Sequence, residues 1–349
     1  MSEKAKNPMS YFPNVPTELS GAVSYETLKQ RQSWPLDLKI AFTETRIRQW
    51  YGHWGGNVYV SFSGGKDSTV LLDIVKRLYP DVPAVFCDTG LEYPEVRKFA
   101  LSRADVVLKP EMPFNKIIEK YGYPVIGKKQ ARMIHDLQNE SDSNRNVCNL
   151  YRTGYTVDGK HSPSFKMPEK WKFLVDAPFK ISETCCDIMK KKPFASYERE
   201  TGGKPIIGTM ACESDARQAS YLKLGCNAFN AKRQRSQPIS IWTDQDVLAY
   251  IKDRGIEYAG CYGDIVCDQD GNLLTTREKR TGCMFCMFGI QFDGNPNRFQ
   301  RMQRDYPKQY RYCMEQLGIG QVLDYIGIPK EYEPTIFDLE RGEWNGSQD

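Results

Sequence analysis

One stretch of sequence decides the fold: Asn57-Val-Tyr-Val-Ser-Phe-Ser-Gly-Gly-Lys-Asp-Ser68. Its first six residues carry β-branched and aromatic side chains, which predicts a buried β-strand. Two glycines follow in the turn Ser63–Ser68, and apolar residues with helical spacing run from Thr69 to Tyr79. The stretch therefore predicts a strand, a tight turn and a helix in immediate succession.

Strands and helices continue to alternate after this first unit. The patterns predict strands at Val82–Cys87, Asp105–Leu108 and Lys204–Gly208 and a helix at Tyr93–Ser102. Alternation with short connections indicates βαβ units and a parallel sheet with helices on both faces. We therefore predict an α/β fold with a doubly wound, mostly parallel sheet, followed by an α-rich C-terminal region.

The rest of the chain is assigned around this sheet. A helix is predicted at Leu36–Tyr51, and a second one is predicted to begin at the capping residue Thr243. Residues 137–170 are polar and poor in periodicity, so they are interpreted as an insertion. The predicted domains are an N-terminal extension with its helix (residues 1–54), a nucleotide-binding domain (55–260) and a C-terminal region (261–349).

The composition is that of an ordinary globular protein. Of the 349 residues, 40% are hydrophobic and 26% are charged, a balance that excludes a disordered chain. Lys and Arg total 48 against 44 Asp and Glu, so the net charge is +4. This excess is too small to indicate nucleic-acid binding by itself. No apolar run approaches the ~18 residues that span a bilayer, so no membrane partner is expected.

The cysteines and the first residues predict a cytoplasmic location. The start of the chain has no apolar core of the kind found in a signal peptide. The cysteine count is 11, and an odd number without a secretion signal indicates a reducing compartment. In such a compartment, clustered cysteines more often bind metal or do redox work than form structural disulfides.

The turn Ser63–Ser68 has the chemistry of a phosphate site. Its glycines let backbone amides approach a ligand closely, and the start of a helix adds partial positive charge. Lys66 adds a cation, and Ser63 and Ser68 add hydroxyl donors. The spacing is neither that of a Walker A loop nor that of a GxGxxG dinucleotide loop. The turn is therefore predicted to bind phosphate without belonging to either of those classes.

The same residues resemble a known family. Ser63–Ser68 is similar to the SGGKDS pyrophosphate (PP) loop of the adenine-nucleotide α-hydrolase-like superfamily, and the branch of phosphoadenosine phosphosulfate (PAPS) and adenosine phosphosulfate (APS) reductases fits best. Asp88-Thr-Gly-Leu-Glu-Tyr-Pro-Glu95 resembles the DTG...PE segment of that branch. The resemblance continues through Ile207–Ser214 and reaches to about residue 290. It implies a doubly wound sheet that holds an adenine nucleotide at the carboxyl ends of its strands.

The resemblance also implies a set of site residues. The implied nucleotide-binding residues are Ser61, Ser63, Gly64, Gly65, Lys66, Asp67, Ser68, Asp88, Thr89, Gly90, Gly208 and Arg217. The implied catalytic residues are Lys66, Asp67 and Asp88. Lys66 would stabilise charge on the phosphates, and Asp67 or Asp88 would hold Mg²⁺ beside ATP. APS or PAPS is the alternative nucleotide.

Four cysteines form a second candidate site. Cys185-Cys186 and Cys283-x-x-Cys286 have spacings that suit a metal centre, and four thiolates are the usual ligands of a 4Fe–4S cluster. A four-cysteine zinc site and unrelated buried cysteines are the alternatives. APS reductases carry a CC...CxxC cluster motif, so the resemblance implies a 4Fe–4S cluster at these four positions. The adjacent Lys190–Lys192 either neutralises a cluster or forms a solvated basic run.

The resemblance leaves more than one reaction open. A sulfonucleotide reductase of this family attacks with a cysteine in a C-terminal tail, whereas this sequence has no cysteine after Cys313. We therefore expect ATP-dependent sulfur transfer, in which adenylation releases pyrophosphate and the sulfur goes to a nucleic acid or another acceptor. Reduction of APS or PAPS to sulfite is the first alternative, and a non-catalytic iron–sulfur redox sensor is the second. A sulfur or electron donor protein is an expected partner.

A basic, aromatic run suggests a polyanionic partner such as tRNA or DNA. Residues Arg298–Leu317 are helical in character, with Pro307 as a break, and Lys232-Arg-Gln-Arg235 is a second basic patch. Arginines interleaved with aromatic residues can bind phosphates and stack bases. An amphipathic helix with a solvated basic face is the alternative. The run comprises Arg298, Phe299, Arg301, Arg304, Tyr306, Lys308, Tyr310, Arg311 and Tyr312.

Overall fold

The structure is a computed structural model that describes residues 21–333. The strands are β1 (Val58–Phe62), β2 (Ala84–Cys87), β3 (Val106–Leu108), β4 (Val125–Ile126), β5 (Lys204–Ile207), β6 (Asn227–Ala228), β7 (Arg235–Ser236), β8 (Ile265–Cys267), β9 (Leu273–Thr275) and β10 (Met287–Phe288). The helices are α1 (Tyr25–Gln32), α2 (Leu36–His53), α3 (Lys66–Leu78), α4 (Pro94–Arg103), α5 (Phe114–Tyr121), α6 (Lys128–Gln138), α7 (Arg145–Thr153), α8 (Lys192–Thr201), α9 (Asp215–Leu224), α10 (Asp244–Arg254), α11 (Arg298–Asp305), α12 (Pro307–Arg311) and α13 (Ile319–Tyr325).

The chain divides into two compact units, and each unit is built from two segments. Among the described residues, unit 1 contains residues 21–109 together with Pro193–Thr281, and unit 2 contains Pro110–Lys192 together with residues 282–333. The domain boundaries predicted after residues 54 and 260 do not coincide with this division. The difference arises because the chain leaves unit 1 after β3 and returns to it at α8, which local sequence patterns do not reveal.

Unit 1 is built on a six-stranded sheet with the order β3-β2-β1-β5-β7-β6. Neighbouring strands from β3 to β7 are parallel, and only the edge strand β6 is antiparallel to its neighbour. The sheet grows from β1 toward β2 and β3 on one side and toward β5 on the other. Because crossovers are right-handed, this reversal places helices on both faces. The predicted α/β class and doubly wound, mostly parallel sheet are confirmed.

The reversal of strand order creates a switch point between β1 and β5. These two strands pair in register from Val58 with Lys204 to Ser61 with Ile207. Ligands of open parallel sheets bind outside the carboxyl ends of the strands at such a point. The loop that leaves β1 begins at Ser63, and the loop that leaves β5 begins at Gly208, so both loops lie where the topology predicts a ligand.

The core of unit 1 packs β1 against α3. Val58, Val60 and Phe62 are buried in β1, and α3 covers the sheet with Val70, Leu71 and Val75, which have no solvent exposure. Large aromatic side chains complete this core, among them Trp50 and Trp242, which are also fully buried. The Thr243 side chain caps α10 by accepting a hydrogen bond from the Asp246 amide, which confirms the predicted capped helix.

Unit 2 is largely helical and contains a short parallel pair of strands, β4 and β10. The predicted insertion at residues 137–170 contains α7, a helix of nine residues that is too short for its periodicity to stand out from the polar sequence around it. The predicted helical run from Arg298 is divided into α11 and α12 at Pro307, as expected from the missing amide of proline. The α-rich C-terminal region is thereby confirmed for its described part.

Parts of two predicted regions cannot be compared with the structure. The predicted N-terminal extension up to position 20 and the predicted C-terminal region after position 333 lie outside the described residues. Within residues 21–333, no helix is long and apolar enough to cross a membrane.

Candidate functional site

The turn after β1 depends on glycine at position 64. Gly64 has a φ of +73°, and an added Cβ would lie 2.8 Å from the Val96 carbonyl oxygen and 2.9 Å from the Ala100 Cβ. Only glycine meets both constraints without strain. The turn can therefore pack closely against α4 while it delivers the chain to Gly65, the N-cap residue of α3.

The serines at the two ends of the turn bind to each other. The Ser63 and Ser68 hydroxyl oxygens are 3.0 Å apart, and the Ser68 hydroxyl donates to the Gly65 carbonyl at 2.9 Å. The Gly65 amide donates to the Ser63 hydroxyl at 3.4 Å. The predicted phosphate turn is thus ordered by its own side chains, with α3 beginning at its centre.

Lys66 is buried, with 3% exposure, between two carboxylates. Its Nζ donates to Asp67 Oδ1 at 2.7 Å and to Asp244 Oδ1 at 2.8 Å. Burial alone would lower the pKa of Lys66, but these two carboxylates outweigh it and raise that pKa. Burial would raise the pKa of Asp244, but hydrogen bonds from Lys66 hold it below its usual value. Burial raises the pKa of Asp67.

A chain of alternating charges extends from Lys66. Arg280 donates to Asp244 at 3.3 Å and lies 4.0 Å from Glu213, which pairs with Arg217. Arg217 is a predicted phosphate ligand, whereas Asp244 and Arg280 were not predicted. Asp244 stands at the start of the predicted capped helix, next to Thr243, and that position was the only local signal for it. Which charges meet depends on α10 packing against α3.

A tyrosine also occupies the start of α3. The Lys66 amide donates to the Tyr262 hydroxyl at 3.2 Å, and that hydroxyl lies 2.7 Å from the Thr281 hydroxyl oxygen. Tyr262 is buried, which raises its pKa to about 12, so the phenol is neutral at physiological pH. Its oxygen therefore accepts a hydrogen bond from a helix N-terminal amide, the kind of donor that binds phosphate oxygens. Neither Tyr262 nor Thr281 was predicted.

The other predicted nucleotide residues lie at the ends of the neighbouring strands. Asp88 follows β2, and both of its carboxylate oxygens accept hydrogen bonds from Arg97 at 2.7 Å. These hydrogen bonds lower the pKa of Asp88. Asp88 is thus engaged by Arg97 and not by the Lys66 network. The Thr89 hydroxyl donates to Glu92 at 2.6 Å, and no atom lies within 4 Å of a Cβ added at Gly90.

Gly208 brings the loop after β5 against the phosphate turn. A Cβ at this position would lie 3.0 Å from the Ser68 Cα, so the two backbones approach closely. Ser61 lies within β1, opposite Val85 of β2 and Ile207 of β5. The structure therefore brings the predicted turn and Gly208 to one end of the sheet. Arg217 is connected to the same end through Glu213 and Arg280.

The four predicted metal-binding cysteines all lie in unit 2. Cys185 and Cys186 begin the helical segment that continues as a π-helical turn at Asp187–Lys191, and Cys283 and Cys286 precede β10. A hydrogen bond with Cys186 and burial raise the pKa of Cys185, and Cys286 and Cys283 act in the same direction. Two pairs that are far apart in sequence are thus brought together by the fold.

One segment joins the two cysteine pairs. Tyr123 bridges to Ile181, just before the first pair, and Ile126 pairs in β4 with Phe288, just after the second pair. Ile126 has a φ of +64°, an unusual conformation for a β-branched residue. The chain thus turns sharply at the point where it passes between the two pairs, and Lys128 follows two residues later.

The cysteine pairs have an electropositive surrounding. A hydrogen bond from Cys185 lowers the pKa of Cys186 to about 6, and Lys128 and Lys190 act in the same direction. Burial raises the pKa of Cys286 to about 11, although Arg298 opposes this effect. Arg298 also donates to the Cys286 carbonyl at 2.9 Å, which holds the second pair in place.

The donor set fits a cluster bound by four thiolates. Four cysteine thiolates are the usual ligands of such a cluster, and the nearby Lys128 and Lys190 favour the thiolate of Cys186. Within residues 21–333, no group of three or more His, Cys, Asp or Glu side chains is arranged to hold a metal ion. The cluster at these four cysteines therefore stays a prediction that rests on the donor chemistry alone.

The predicted basic, aromatic run points largely into unit 2. Phe299 and Tyr306 are buried. Arg298 forms an ion pair with Asp293 at 2.8 Å, and Arg304 forms one with Asp305 at 2.9 Å. The exposed members of the run are Lys308, Arg311 and Tyr312. Much of the predicted basic face is thus used for packing inside the unit.

The sequence of the strand-turn-helix region matches a known family model. Residues 57–121, which contain β1, the phosphate turn and α3, match the model of the phosphoadenosine phosphosulfate reductase domain. Over this segment the chain is similar to the phosphoadenosine phosphosulfate reductase family. The resemblance predicted from the loop motif is thereby confirmed.

Two curated proteins, an enzyme and an uncharacterised protein, are similar to this chain. The adenosine 5'-phosphosulfate reductase of Staphylococcus epidermidis is 23% identical over 261 residues, which cover 73% of this chain and 80% of that enzyme. An uncharacterised protein of Methanocaldococcus jannaschii is 33% identical over 214 residues, which cover 59% of this chain and 40% of that protein.

Two solved structures are also similar. A phosphoadenylyl-sulfate reductase from Candida auris, in a phosphate complex, is 16% identical, with 72% of this chain and 98% of that chain covered and a TM-score of 0.36. A U34-tRNA thiolase from Methanococcus maripaludis, with its [4Fe–4S] cluster, is 14% identical, with 86% and 84% covered and a TM-score of 0.33. Both TM-scores are too low to establish a shared fold.

Proposed function

We propose that this protein, which is similar to the PAPS reductase family, is an ATP-dependent sulfur-transfer enzyme that adenylates its acceptor and releases pyrophosphate. The observation that carries the proposal is the pair of carboxylates, Asp67 and Asp244, on the Lys66 ammonium at the phosphate turn. Carboxylates beside a phosphate site repel a bare sulfonucleotide. They suit a nucleotide that arrives with Mg²⁺, which is usually held by one or two carboxylates and substrate phosphates.

The residues of the turn have separate tasks in this proposal. The amides at the start of α3 and the hydroxyls of Ser63 and Ser68 would bind the β- and γ-phosphates. Lys66 would move from Asp244 toward the phosphates and stabilise the charge that develops on the leaving pyrophosphate. Asp67 and Asp244 would then hold Mg²⁺, which screens the charge of the phosphates. Asp88, which is paired with Arg97, is no longer the favoured magnesium ligand.

The bond changes of the proposed reaction balance without an oxidant. An acceptor oxygen forms a bond to the α-phosphorus, and the bond from that phosphorus to the bridging oxygen of the β-phosphate breaks, which releases pyrophosphate. A hydrosulfide or persulfide donor then attacks the activated carbon or phosphorus, and AMP leaves with the oxygen. With hydrosulfide the exchange is redox-neutral. With persulfide, the acceptor is first joined to the donor through an S–S bond, and a second thiol must break that bond, which releases the thiolated acceptor and leaves a disulfide on the expected donor protein.

Cys185, Cys186, Cys283 and Cys286 would hold the cluster in this enzyme. A 4Fe–4S cluster bound there would supply an iron site for sulfur or electron transfer. Lys128 and Lys190 would offset the negative charge of the four thiolates. This assignment is supported by the donor set and by the electropositive surrounding of Cys186.

Reduction of APS or PAPS is the second candidate function. It is favoured by the similarity to an adenosine 5'-phosphosulfate reductase over 80% of the length of that enzyme. In this case the phosphate turn would bind the sulfonucleotide, and the products would be sulfite and AMP or its 3'-phosphate. The two candidates differ in the nucleotide that is consumed, so one experiment separates them.

The test is a product assay on anaerobically purified protein. Pyrophosphate is measured with ATP and Mg²⁺ in the presence of total tRNA, of duplex DNA and of neither, and sulfite is measured with APS and PAPS plus a thiol reductant. We expect pyrophosphate with one acceptor class. We also expect Lys66→Ala to lower turnover by roughly 10²–10³-fold, the cost of losing one charge-stabilising donor.

The matched control is Lys76→Ala, which removes a lysine from the opposite end of the same helix, where Lys76 pairs with the exposed Asp105. This variant should retain its turnover. Sulfite without pyrophosphate would establish the reductase instead. Nucleotide binding with neither product would leave the sensor interpretation as the remaining one.

A further inference from the structure

The insertion in unit 2 presents aromatic side chains to solvent from an ordered segment. The exposed aromatic side chains between Gly154 and Phe173 include Tyr155, with 51% exposure, and Phe165, with 48%. Val157, His161 and Phe173 are exposed as well. Large aromatic side chains are costly to leave in water, and a group of them on one short segment indicates a surface that binds something.

The exposure is not a result of a loose chain. The Met167 amide donates to the Tyr151 carbonyl at 2.7 Å, and the Ser162 amide donates to the Gly154 carbonyl at 2.7 Å. Met167 and Leu174 are buried and anchor the segment to the unit. The backbone is therefore held in place while Tyr155 and Phe165 remain outside the core.

The aromatic rings of this segment form stacking and cation–π contacts, the two kinds of contact that nucleobases also make with proteins. Tyr155 stacks on His161 with ring centroids 4.7 Å apart and an angle of 29° between planes. The Lys129 ammonium lies 5.3 Å from the centre of the Phe165 ring, and the Lys170 ammonium lies 5.2 Å from that of Trp171. A ring beside a cation offers a stacking face and a phosphate partner within one nucleotide's reach.

The charge of the segment favours a polyanion. Residues 154–173 contain four lysines and two acidic residues. Lys172 pairs with Glu169, whereas Lys160, Lys166 and Lys170 are exposed and form no ion pair within residues 21–333. A binding surface for an apolar protein segment would not require this excess of unpaired lysines. The predicted C-terminal run, by contrast, has arginines that are engaged by Asp293 and Asp305.

The geometry points to a binding surface for single-stranded nucleic acid on this segment, with Tyr155 and Phe165 stacking on bases and Lys160, Lys166 and Lys170 binding phosphates. Every base can stack on an aromatic side chain, but in a duplex the base faces are already covered by neighbouring base pairs. The surface would therefore select unpaired nucleotides over duplex, with little preference for sequence. That the bound nucleic acid is the sulfur acceptor rests on the proposed function. That the segment binds single strands does not, because binding requires no nucleotide hydrolysis.

The test uses fluorescence anisotropy of the full chain with a labelled twelve-nucleotide single-stranded RNA, the matching DNA and the same DNA as a duplex, without ATP. We expect the single strands to bind and the duplex to bind more weakly. Tyr155→Ala and Phe165→Ala should each weaken single-strand binding by roughly tenfold, which is within the range for one stacked base. Phe292→Ala, which removes an 82% exposed aromatic ring elsewhere in unit 2, should leave it unchanged.

The charge component is tested with two matched double variants. Lys160→Gln with Lys166→Gln should lower the slope of log Kd against log salt by about 1.4, the value for two lost phosphate contacts on a single strand. Lys308→Gln with Arg311→Gln removes the same charge from the C-terminal run and should leave the slope unchanged. Absence of single-strand binding, or a loss only in the second double variant, would overturn the proposal. Because ATP is absent, that outcome would not bear on adenylation.

Discussion

The Tyr262 hydroxyl and an incoming phosphate need the same hydrogen-bond donor, the Lys66 amide at the start of α3. In this structure the phenol takes that donor at 3.2 Å. In the proposed function, nucleotide binding would therefore displace or rearrange the hydroxyl, at the cost of one hydrogen bond. The affinity of the proposed site for phosphate would then depend on this competition as well as on the glycines of the turn.

Replacement of Tyr262 by Phe should tighten nucleotide binding. The variant removes the competing acceptor and keeps the ring that fills the core, so Kd should fall roughly threefold to tenfold, the value of one net hydrogen bond. Isothermal titration of ATP with Mg²⁺ measures this change. Tyr258→Phe is the matched control, because that hydroxyl donates to the Gly263 carbonyl and does not reach the turn. A higher Kd for Tyr262→Phe would mean that the hydroxyl binds the nucleotide itself.

At the scale of elements, the packing of the phosphate turn against α4 is set by Gly64. Replacement of Gly64 by Ala should destabilise the protein by about 2–5 kcal/mol, because it combines a strained positive φ with overlap against Val96 and Ala100. Chemical denaturation followed by circular dichroism measures the loss. The replacement also tests whether the turn is part of the folded core.

The matched control for this prediction separates strain from overlap. Gly271 has a similar φ of +81° but no atom within 4 Å of an added Cβ. Gly271→Ala should therefore cost only the conformational strain, about 1–2 kcal/mol. Equal losses in the two variants would show that the contact with α4 relaxes without cost.

In unit 2, the segment that carries Cys286 depends on an ion pair. Burial alone would raise the pKa of Asp293, but hydrogen bonds from Arg298 lower it below its usual value. A carboxyl with a lowered folded-state pKa contributes stability above its unfolded pKa, and the contribution is lost as the pH falls through the folded value. Arg298 in turn donates to the Cys286 and Phe288 carbonyls.

Asp293→Asn should destabilise the protein by about 2–3 kcal/mol at neutral pH, the range for charge-assisted hydrogen bonds. The difference from the wild type should shrink as the pH falls below about 4, where the wild-type carboxyl becomes protonated. Urea denaturation at a series of pH values measures both. A difference that stays constant down to pH 2 would show that the carboxylate charge is not the source of the stability.

At the scale of the whole molecule, the two units divide the chemistry between them. The phosphate turn and its charged network lie in unit 1, and the four cysteines lie in unit 2. Each site is assembled from two chain segments, because each unit consists of two. A substitution in one site can therefore be assessed by a readout that belongs to that site alone.

The protein should be brown after anaerobic purification and contain about four iron and four sulfide ions per chain, as expected for one 4Fe–4S cluster. Cys283→Ser and Cys286→Ser should lose most of the iron. Cys267→Ser is the matched control, because this exposed cysteine lies in β8 of unit 1. Metal analysis and visible absorption are the measurements. Stoichiometric zinc without iron would contradict the cluster assignment.

The sequence by itself determined the features that depend on neighbouring residues. β1, the phosphate turn, α3 and the capped start of α10 follow from local periodicity, glycine positions and a capping side chain. The family resemblance followed from the turn motif, and the parallel sheet followed from the alternation of strands and helices. Each of these signals is contained within a few residues, which is why pattern reading finds it.

The tertiary structure decided which distant side chains meet. Lys66 binds Asp244, which is 178 positions away, and Asp88 turns out to be engaged by Arg97. The chain crosses between the units at residues 110, 193 and 282, and thereby brings the two cysteine pairs into one unit. Arg298 and Arg304, which belong to the predicted basic run, form ion pairs with carboxylates in the fold. These outcomes depend on how helices pack on the sheet, and no local pattern carries that information.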